Sequence, residues 1–116
     1  MFLIQKVTAN PLQKQRLVLE DGSIVSIELY YRDLQQGWFI NELTWNSFTL
    51  RGMRICNHPN LLHQYKNQIP FGLACYSTAN REPSLIKDFS SQASKLYILS
   101  SAECEEFLEY LKDVQV

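Results

Sequence analysis

The residues best suited to chemistry lie in the middle of the chain, at Cys56, His58 and His63. Cysteine and histidine are ligands that zinc prefers, but a structural zinc site needs four of them. The fourth would have to be Cys75 or Cys104, and no C-x-x-C pair marks either residue as part of a metal-binding knuckle. The pattern therefore favours a buried structural Cys56 beside an ordinary loop histidine, and we expect no metal site.

Other kinds of active site have as little support. A cysteine nucleophile needs surroundings that favour the thiolate and a third group that orients its histidine base, and the spacing of three cysteines and two histidines indicates neither. The four glycines stand alone, so the chain has no glycine-rich phosphate loop. Paired carboxylates occur only within Glu103–Glu109, on a predicted solvent face rather than in a pocket. We therefore predict that the protein is not an enzyme and binds no cofactor.

The composition is that of one globular domain spanning residues 1–116. Hydrophobic residues make up 46% of the chain and charged residues 20%, which is too apolar for disorder. The net charge of -1 lacks the basic excess that nucleic-acid binding needs. The start of the chain is too briefly apolar for a signal peptide, and no apolar run approaches the ~20 residues of a membrane-spanning helix. An odd number of widely spaced cysteines favours reduced thiols, so we expect a soluble protein without membrane or nucleic-acid partners.

The clearest structural signal is a β-hairpin. Asp21-Gly22 separates two alternating segments, Arg16–Glu20 and Ile24–Tyr31, and this dipeptide is a strong hairpin-turn signal. In the second segment, one face is predicted to be buried, and it consists of Val25, Ile27, Leu29 and Tyr31. A polar turn then leads to an aromatic strand at Trp38–Leu43, whose Trp38 we assign to the core.

Several further strands are predicted from short apolar segments. Phe48–Leu50 and Met53–Ile55 flank Arg51-Gly52 and are expected to form a second hairpin. A helical turn is expected at Leu61–Lys66 and a loop at Thr78–Ser84, with the remaining strands at Phe2–Val7, Gly72–Ser77 and Lys95–Leu99. About seven short strands favour a mostly β fold, either a small sandwich or a partly open barrel.

A C-terminal helix is predicted over about residues 101–114. Ser100 and Glu103 have the spacing of a capping box, in which each side chain binds a backbone N–H of the other residue. One apolar stripe should dock on the body, and it consists of Cys104, Phe107, Leu108 and Leu111. Between Glu103 and Asp113 there are five acids and one base, which is typical of a solvated helix face and can also steer docking.

The surplus of aromatic residues predicts a protein interface. The chain has fourteen of them, and adjacent pairs such as Tyr30-Tyr31 and Trp38-Phe39 point to opposite faces of their strands. One member of each pair must therefore meet a partner, the C-terminal helix or a long loop. The predicted partner contacts are Tyr30, Phe39, Glu105, Glu106 and Glu109.

The succession of these elements resembles a known family. The segments that carry the resemblance cover roughly residues 5–100, and they are Arg16–Gly22, Ile27–Arg32, Trp38–Asn41, Gly52–Ile55, Asn60–Tyr65, Gly72–Cys75 and Lys95–Leu99. This order is similar to that of small phage tail proteins, the baseplate plug proteins of contractile-tailed cyanophages. The acidic helix and the cysteines are not part of the family pattern.

The resemblance implies a structural virion component without catalytic activity. Such a protein plugs or lines the central hub of the baseplate, contacts hub, spike or tape-measure proteins, and is oligomeric in the assembled tail. It is expected in the virion tail, and in the cytoplasm of the infected bacterial host during assembly. The alternative is a small intracellular adaptor that binds a peptide or protein partner along an exposed strand edge.

Overall fold

The computed structural model describes residues 2–4, 7–19, 21–78 and 81–106, which are mostly β structure. In these residues there are eight strands: β1 (Phe2–Leu3), β2 (Leu12–Val18), β3 (Ile24–Arg32), β4 (Gly37–Trp45), β5 (Phe48–Leu50), β6 (Met53–Arg54), β7 (Gly72–Ser77) and β8 (Ser94–Leu99). A short 3-10 helix spans His63–Tyr65, and residues 101–106 are α-helical. The predicted mostly β class is confirmed.

The strands form two antiparallel sheets around one hydrophobic core. The larger sheet has the order β2-β3-β4-β5, with β6 also paired to β4, and the smaller sheet has the order β1-β8-β7. Both sheets contribute to the core, Ile27 and Ile40 from the larger sheet and Leu73 and Leu96 from the smaller. Within the described residues the larger sheet ends at β2 on one side and at β5 and β6 on the other, so it does not close into a barrel.

The hairpin at Asp21-Gly22 is confirmed. The N–H of Leu19 donates to the carbonyl of Ser23 at 2.8 Å, and Gly22 adopts a φ of 86° that a glycine accepts without strain. The Asp21 carboxylate accepts the Ser23 N–H at 2.9 Å, which closes the turn. In β3 the four predicted core residues are all buried, and these are Val25, Ile27, Leu29 and Tyr31.

The predicted hairpin between Phe48–Leu50 and Met53–Ile55 is wrong. The two segments do not pair with each other, because both pair with β4: Leu50 lies opposite Leu43, and Met53 lies opposite Ile40. The hairpin turn is instead at Asn46-Ser47, where Asn46 has the positive φ that asparagine tolerates. Gly52 (φ 76°) donates its N–H to the carbonyl of Ile40. The chain therefore continues from β5 to β6 along β4 without turning back.

Trp38 lies at the centre of the core, as predicted. Its side chain is fully buried, and its ring meets Tyr31 and Phe89 edge-on at centroid distances of 5.4 and 5.8 Å. The indole N–H donates to the carbonyl of Leu85 at 3.2 Å, and the Tyr31 hydroxyl donates to that of Ser84 at 2.7 Å. The loop that precedes β8 is therefore fastened to the aromatic core.

The remaining elements agree with the sequence in outline. The strand at Gly72–Ser77 and the helical turn are confirmed, whereas the predicted strand Phe2–Val7 is reduced to Phe2–Leu3 in the described residues. The capping box is confirmed: Ser100 N–H donates to Glu103 Oε1 at 3.1 Å, and Glu103 N–H donates to Ser100 Oγ at 3.3 Å. The apolar residues Phe107, Leu108 and Leu111 and the predicted helix end near residue 114 lie outside the described residues. None of the described helices is long and apolar enough to span a membrane.

Candidate protein-binding surface

The outer face of the larger sheet carries a row of apolar and cationic side chains across four strands. Leu12 pairs with Tyr30, Tyr30 with Phe39 and Phe39 with Arg54, so one residue each of β2, β3, β4 and β6 lies in the row. Leu12 is 51% exposed and Tyr30 38% exposed, although both are large apolar side chains. We call these four residues and Arg32 the aromatic row.

Two guanidinium groups lie against the aromatic rings of this row. Arg32 Cζ is 4.4 Å from the ring centroid of Phe39 and 5.8 Å from that of Tyr30, and Arg54 Cζ is 5.6 Å from that of Phe39. These distances are within the ~6 Å range of cation–π attraction. In the described part of the chain neither arginine has a carboxylate partner, and the Arg54 guanidinium donates to the backbone carbonyls of Gln35 and Gln36.

Gly37 provides the space that Arg54 occupies. A Cβ atom at Gly37 would lie 2.6 Å from an Arg54 guanidinium nitrogen, which donates to the carbonyl of Gln36 at 3.2 Å. We expect Gly37→Ala to displace the guanidinium from Phe39 while changing the free energy of unfolding by less than about 1 kcal/mol, because a flexible side-chain end can move away. Chemical shifts of Arg54 and Phe39 in NMR spectra, with urea unfolding, would test this. Unchanged shifts would contradict it.

The carboxylates beside the aromatic row are already engaged. Glu28 accepts a hydrogen bond from Asn41 Nδ2 at 2.7 Å and lies 3.7 Å from Lys14 Nζ, and Glu42 lies 3.5 Å from Arg51. Asn41 is the extra residue of a β-bulge, because Glu28 pairs with Glu42 whereas Leu29 pairs with Ile40. The bulge brings the Asn41 amide to Glu28, so Glu28 and Glu42 both already have partners within the sheet.

The structure brings only some of the predicted partner contacts together. Tyr30 and Phe39 lie directly opposite each other, but Glu105 and Glu106 are exposed on the helix that follows β8, and no described contact joins the two groups. Glu109 lies outside the described residues. Sequence reasoning missed the contributions of Leu12, Arg32 and Arg54 because they depend on strand register, and the only available signal was the alternation of exposed positions in each strand.

The described cysteines are partly or fully buried, and one of them lies beside a histidine. Cys75 and His58 exchange two backbone hydrogen bonds of 3.0 Å, and burial raises the pKa of the Cys75 thiol to about 12. Burial also raises the pKa of Cys56 and Cys104, which is opposite to the lowered pKa that a cysteine nucleophile needs. Cys56 is only half-buried, which corrects the predicted full burial. No group of three possible metal ligands occurs in the part of the chain that the structure describes.

The arrangement on the outer face suits binding rather than bond chemistry. Exposed tyrosine and arginine side chains are the types that contribute most energy at protein interfaces. Here they form a continuous row on one face of a sheet whose opposite face packs in the core. Comparison with known proteins finds no matching family model and no matching curated protein.

Proposed function

We propose that this protein is a structural, non-enzymatic component of a phage tail baseplate, where it plugs or lines the central hub. Its neighbours there would be hub, spike or tape-measure proteins. The sequence resemblance supports this assignment, and the segments that carry it include the hairpin and the strand that holds Trp38. The observation that carries the binding role is the aromatic row, since it exposes apolar and cationic groups together.

The chemistry of the row fits a protein partner. Tyr30 and Phe39 offer flat apolar area at little cost in side-chain entropy, and the Arg32 guanidinium lies close to both rings. A partner that places apolar side chains on the rings and carboxylates beside the guanidinium groups would satisfy both kinds of group. In the assembled tail, several copies would each present this row to a neighbour.

A matched pair of tyrosine variants tests the role of the row. Tyr30 is 38% exposed on the larger sheet, and Tyr76 is 44% exposed on the smaller sheet. We expect Tyr30→Ala to weaken partner binding by about tenfold or more, whereas Tyr76→Ala should leave it within about twofold. Titration calorimetry with the partner would measure both. If the two variants weaken binding equally, the aromatic row is not part of the interface.

Co-expression identifies the partner. The chain, carrying an affinity tag, would be produced together with the hub, spike and tape-measure proteins encoded on the same DNA, and the purified material examined by size-exclusion chromatography and native mass spectrometry. The proposal expects a stoichiometric complex with at least one of them. A chain that elutes alone in every combination would contradict it.

An adaptor role is the second candidate, and one observation favours it. Strand β2 lies at the end of the larger sheet and pairs only with β3 among the described residues. An open strand edge is a common docking place for extended peptides. The two functions differ in their partners, because an adaptor would associate with a regulatory or metabolic protein and not with tail components.

A further inference from the structure

The open edge of β2 presents a regular set of backbone groups. At the two ends of its ladder with β3, Tyr31 N–H donates to the carbonyl of Pro11 at 2.7 Å, and Leu19 N–H donates to that of Ser23 at 2.8 Å. Hydrogen-bonded and non-hydrogen-bonded pairs alternate in an antiparallel ladder, so the odd-numbered residues of β2 bond to β3. The N–H and C=O groups of Lys14, Arg16 and Val18 therefore point away from the sheet, and no described residue pairs with them.

The other sheet edges are shorter or covered. Segment 58–61 lies along β7, where Leu61 N–H donates to the carbonyl of Leu73 at 2.6 Å and His58 bridges Cys75. Strand β1 has two residues, and the edge formed by β5 and β6 is broken between them. With seven residues, β2 is the longest open edge in the described part of the chain.

The side chains of β2 determine which strand can pair there. Lys14 and Arg16 are exposed on the outer face, where Lys14 is held only loosely to Glu28 at 3.7 Å and Arg16 has no described carboxylate partner. The antiparallel edge of a second copy would bring cations close to cations, which is destabilising. A strand that carries glutamate or aspartate would instead gain two ion pairs. The charge pattern therefore disfavours self-association and favours an acidic partner.

An apolar groove lies at the Val18 end of this edge. It has a volume of about 200 Å³ and is lined by Val18, Leu19, Asp21, Pro70, Phe71, Ile98, Leu99, Ser100 and Ser101. Val18 belongs both to the open edge strand and to the lining of this groove, so a strand added beside β2 would end next to it. The Asp21 carboxylate repels an acid there, so an uncharged, bulky side chain such as leucine or phenylalanine fits best.

We propose that β2 accepts an extended acidic segment of a partner protein as an additional strand, with carboxylates beside Lys14 and Arg16 and one bulky apolar side chain in the groove at Val18. This proposal adds to the proposed function a way in which the chain would hold a neighbouring protein. It rests on that function only because both require a protein partner. Backbone hydrogen bonds would supply affinity, and the two cations and the groove would supply specificity.

A synthetic peptide tests this with the purified chain alone. The probe is a peptide of about ten residues that alternates glutamate and valine and carries leucine near one end, which is enough to cover the strand. We expect backbone amide shifts in NMR spectra to concentrate at residues 12–18. The same peptide with lysine in place of glutamate should bind at least about tenfold more weakly. Shifts away from β2, no binding, or equal binding of both peptides would overturn the proposal.

Variants of Arg16 separate the backbone contribution from the charge. Arg16→Pro removes an N–H that points away from β3, so the ladder is retained while a bond to an added strand is lost. We expect Arg16→Pro to lower the affinity for the acidic peptide by about tenfold. Arg16→Gln keeps the N–H and should lower the affinity only a few-fold, through the loss of charge alone. If Arg16→Pro unfolds the chain, Arg16→Glu still tests the charge contribution and should weaken binding more than Arg16→Gln does. Unchanged affinity in the folded variants would refute the edge mode.

The two proposals fail independently. A complex with tail proteins that survives Arg16→Pro and Arg16→Glu would leave the tail assignment in place and exclude strand addition at β2. Peptide binding at β2 without any tail complex would support the edge site and remove the tail assignment.

Discussion

Replacing Trp38 with alanine is expected to lower the free energy of unfolding by about 3–5 kcal/mol. The side chain is fully buried, its ring meets Tyr31 and Phe89, and its indole N–H binds the carbonyl of Leu85. Truncation would leave a cavity and one carbonyl without its donor. Because small domains are stable by only about 5–15 kcal/mol, much of the total would be lost.

Urea unfolding followed by circular dichroism would measure the change. Leu34→Ala is the surface control, since Leu34 is 96% exposed in a turn, and it should change stability by no more than about 0.5 kcal/mol. A loss below about 1 kcal/mol for Trp38→Ala would mean that the indole is not the anchor of the core.

Replacing Asp88 with alanine is expected to cost about 3 kcal/mol, the second-largest loss. The buried Asp88 carboxylate accepts two hydrogen bonds from Arg81, at 2.6 and 2.7 Å, and two backbone hydrogen bonds from Ser84 and Leu85, each of 2.9 Å. Without the carboxylate these donors lose their acceptor. The loop that bonds to Trp38 then loses the hydrogen bonds that hold it together. Asp33→Ala, in an exposed turn, is the control and should be nearly neutral.

The same carboxylate gives the stability a pH dependence. Hydrogen bonds from Arg81 are the main reason that the pKa of Asp88 lies below its ordinary value of 3.8, with the backbone N–H groups of Leu85 and Ser84 adding to the effect. A lowered folded-state pKa stabilises the fold above the unfolded-state pKa, and this contribution is lost as the pH falls through the folded-state value. The difference in the free energy of unfolding between the wild type and Asp88→Asn should therefore be largest at pH 7 and should decrease below about pH 4. A gap that stays constant down to pH 2 would show that the charge of Asp88 is not involved.

The sequence predicts local structure correctly wherever a few adjacent residues determine it. Asp21-Gly22 defines its hairpin because glycine accepts the positive φ, and Ser100 with Glu103 defines the helix start through reciprocal hydrogen bonds. Alternation in β3 identified the buried face because the side-chain period of a strand is two.

The sequence does not predict features that depend on which strands pair with each other and in which register. Arg51-Gly52 looks like a hairpin turn, but β4 offers partners to the segments on both sides of it, and these pairings replace the expected one. Arg54 joins Phe39 only through that arrangement. The bulge at Asn41 sets which residues of β3 and β4 lie opposite each other, and no local residue pattern predicted it.

The candidate surface was therefore predicted in part. Alternation placed Tyr30 and Phe39 on the outer side of their strands, but their pairing with each other and the position of Arg32 near both rings needed the register of the folded sheet. The open edge of β2 likewise became visible only once the order of the strands was known, because any strand is an edge or a centre according to its neighbours.

The proposed function makes this protein a baseplate component that would bind its neighbours through the outer face of its larger sheet. Sequencing the DNA on either side of its gene would test this function, because phage tail genes are grouped with those of the proteins they assemble with. We expect tape-measure, hub and spike genes beside it. Metabolic or regulatory genes on both sides would contradict the tail assignment and favour the adaptor role, in which the open edge of β2 binds the partner.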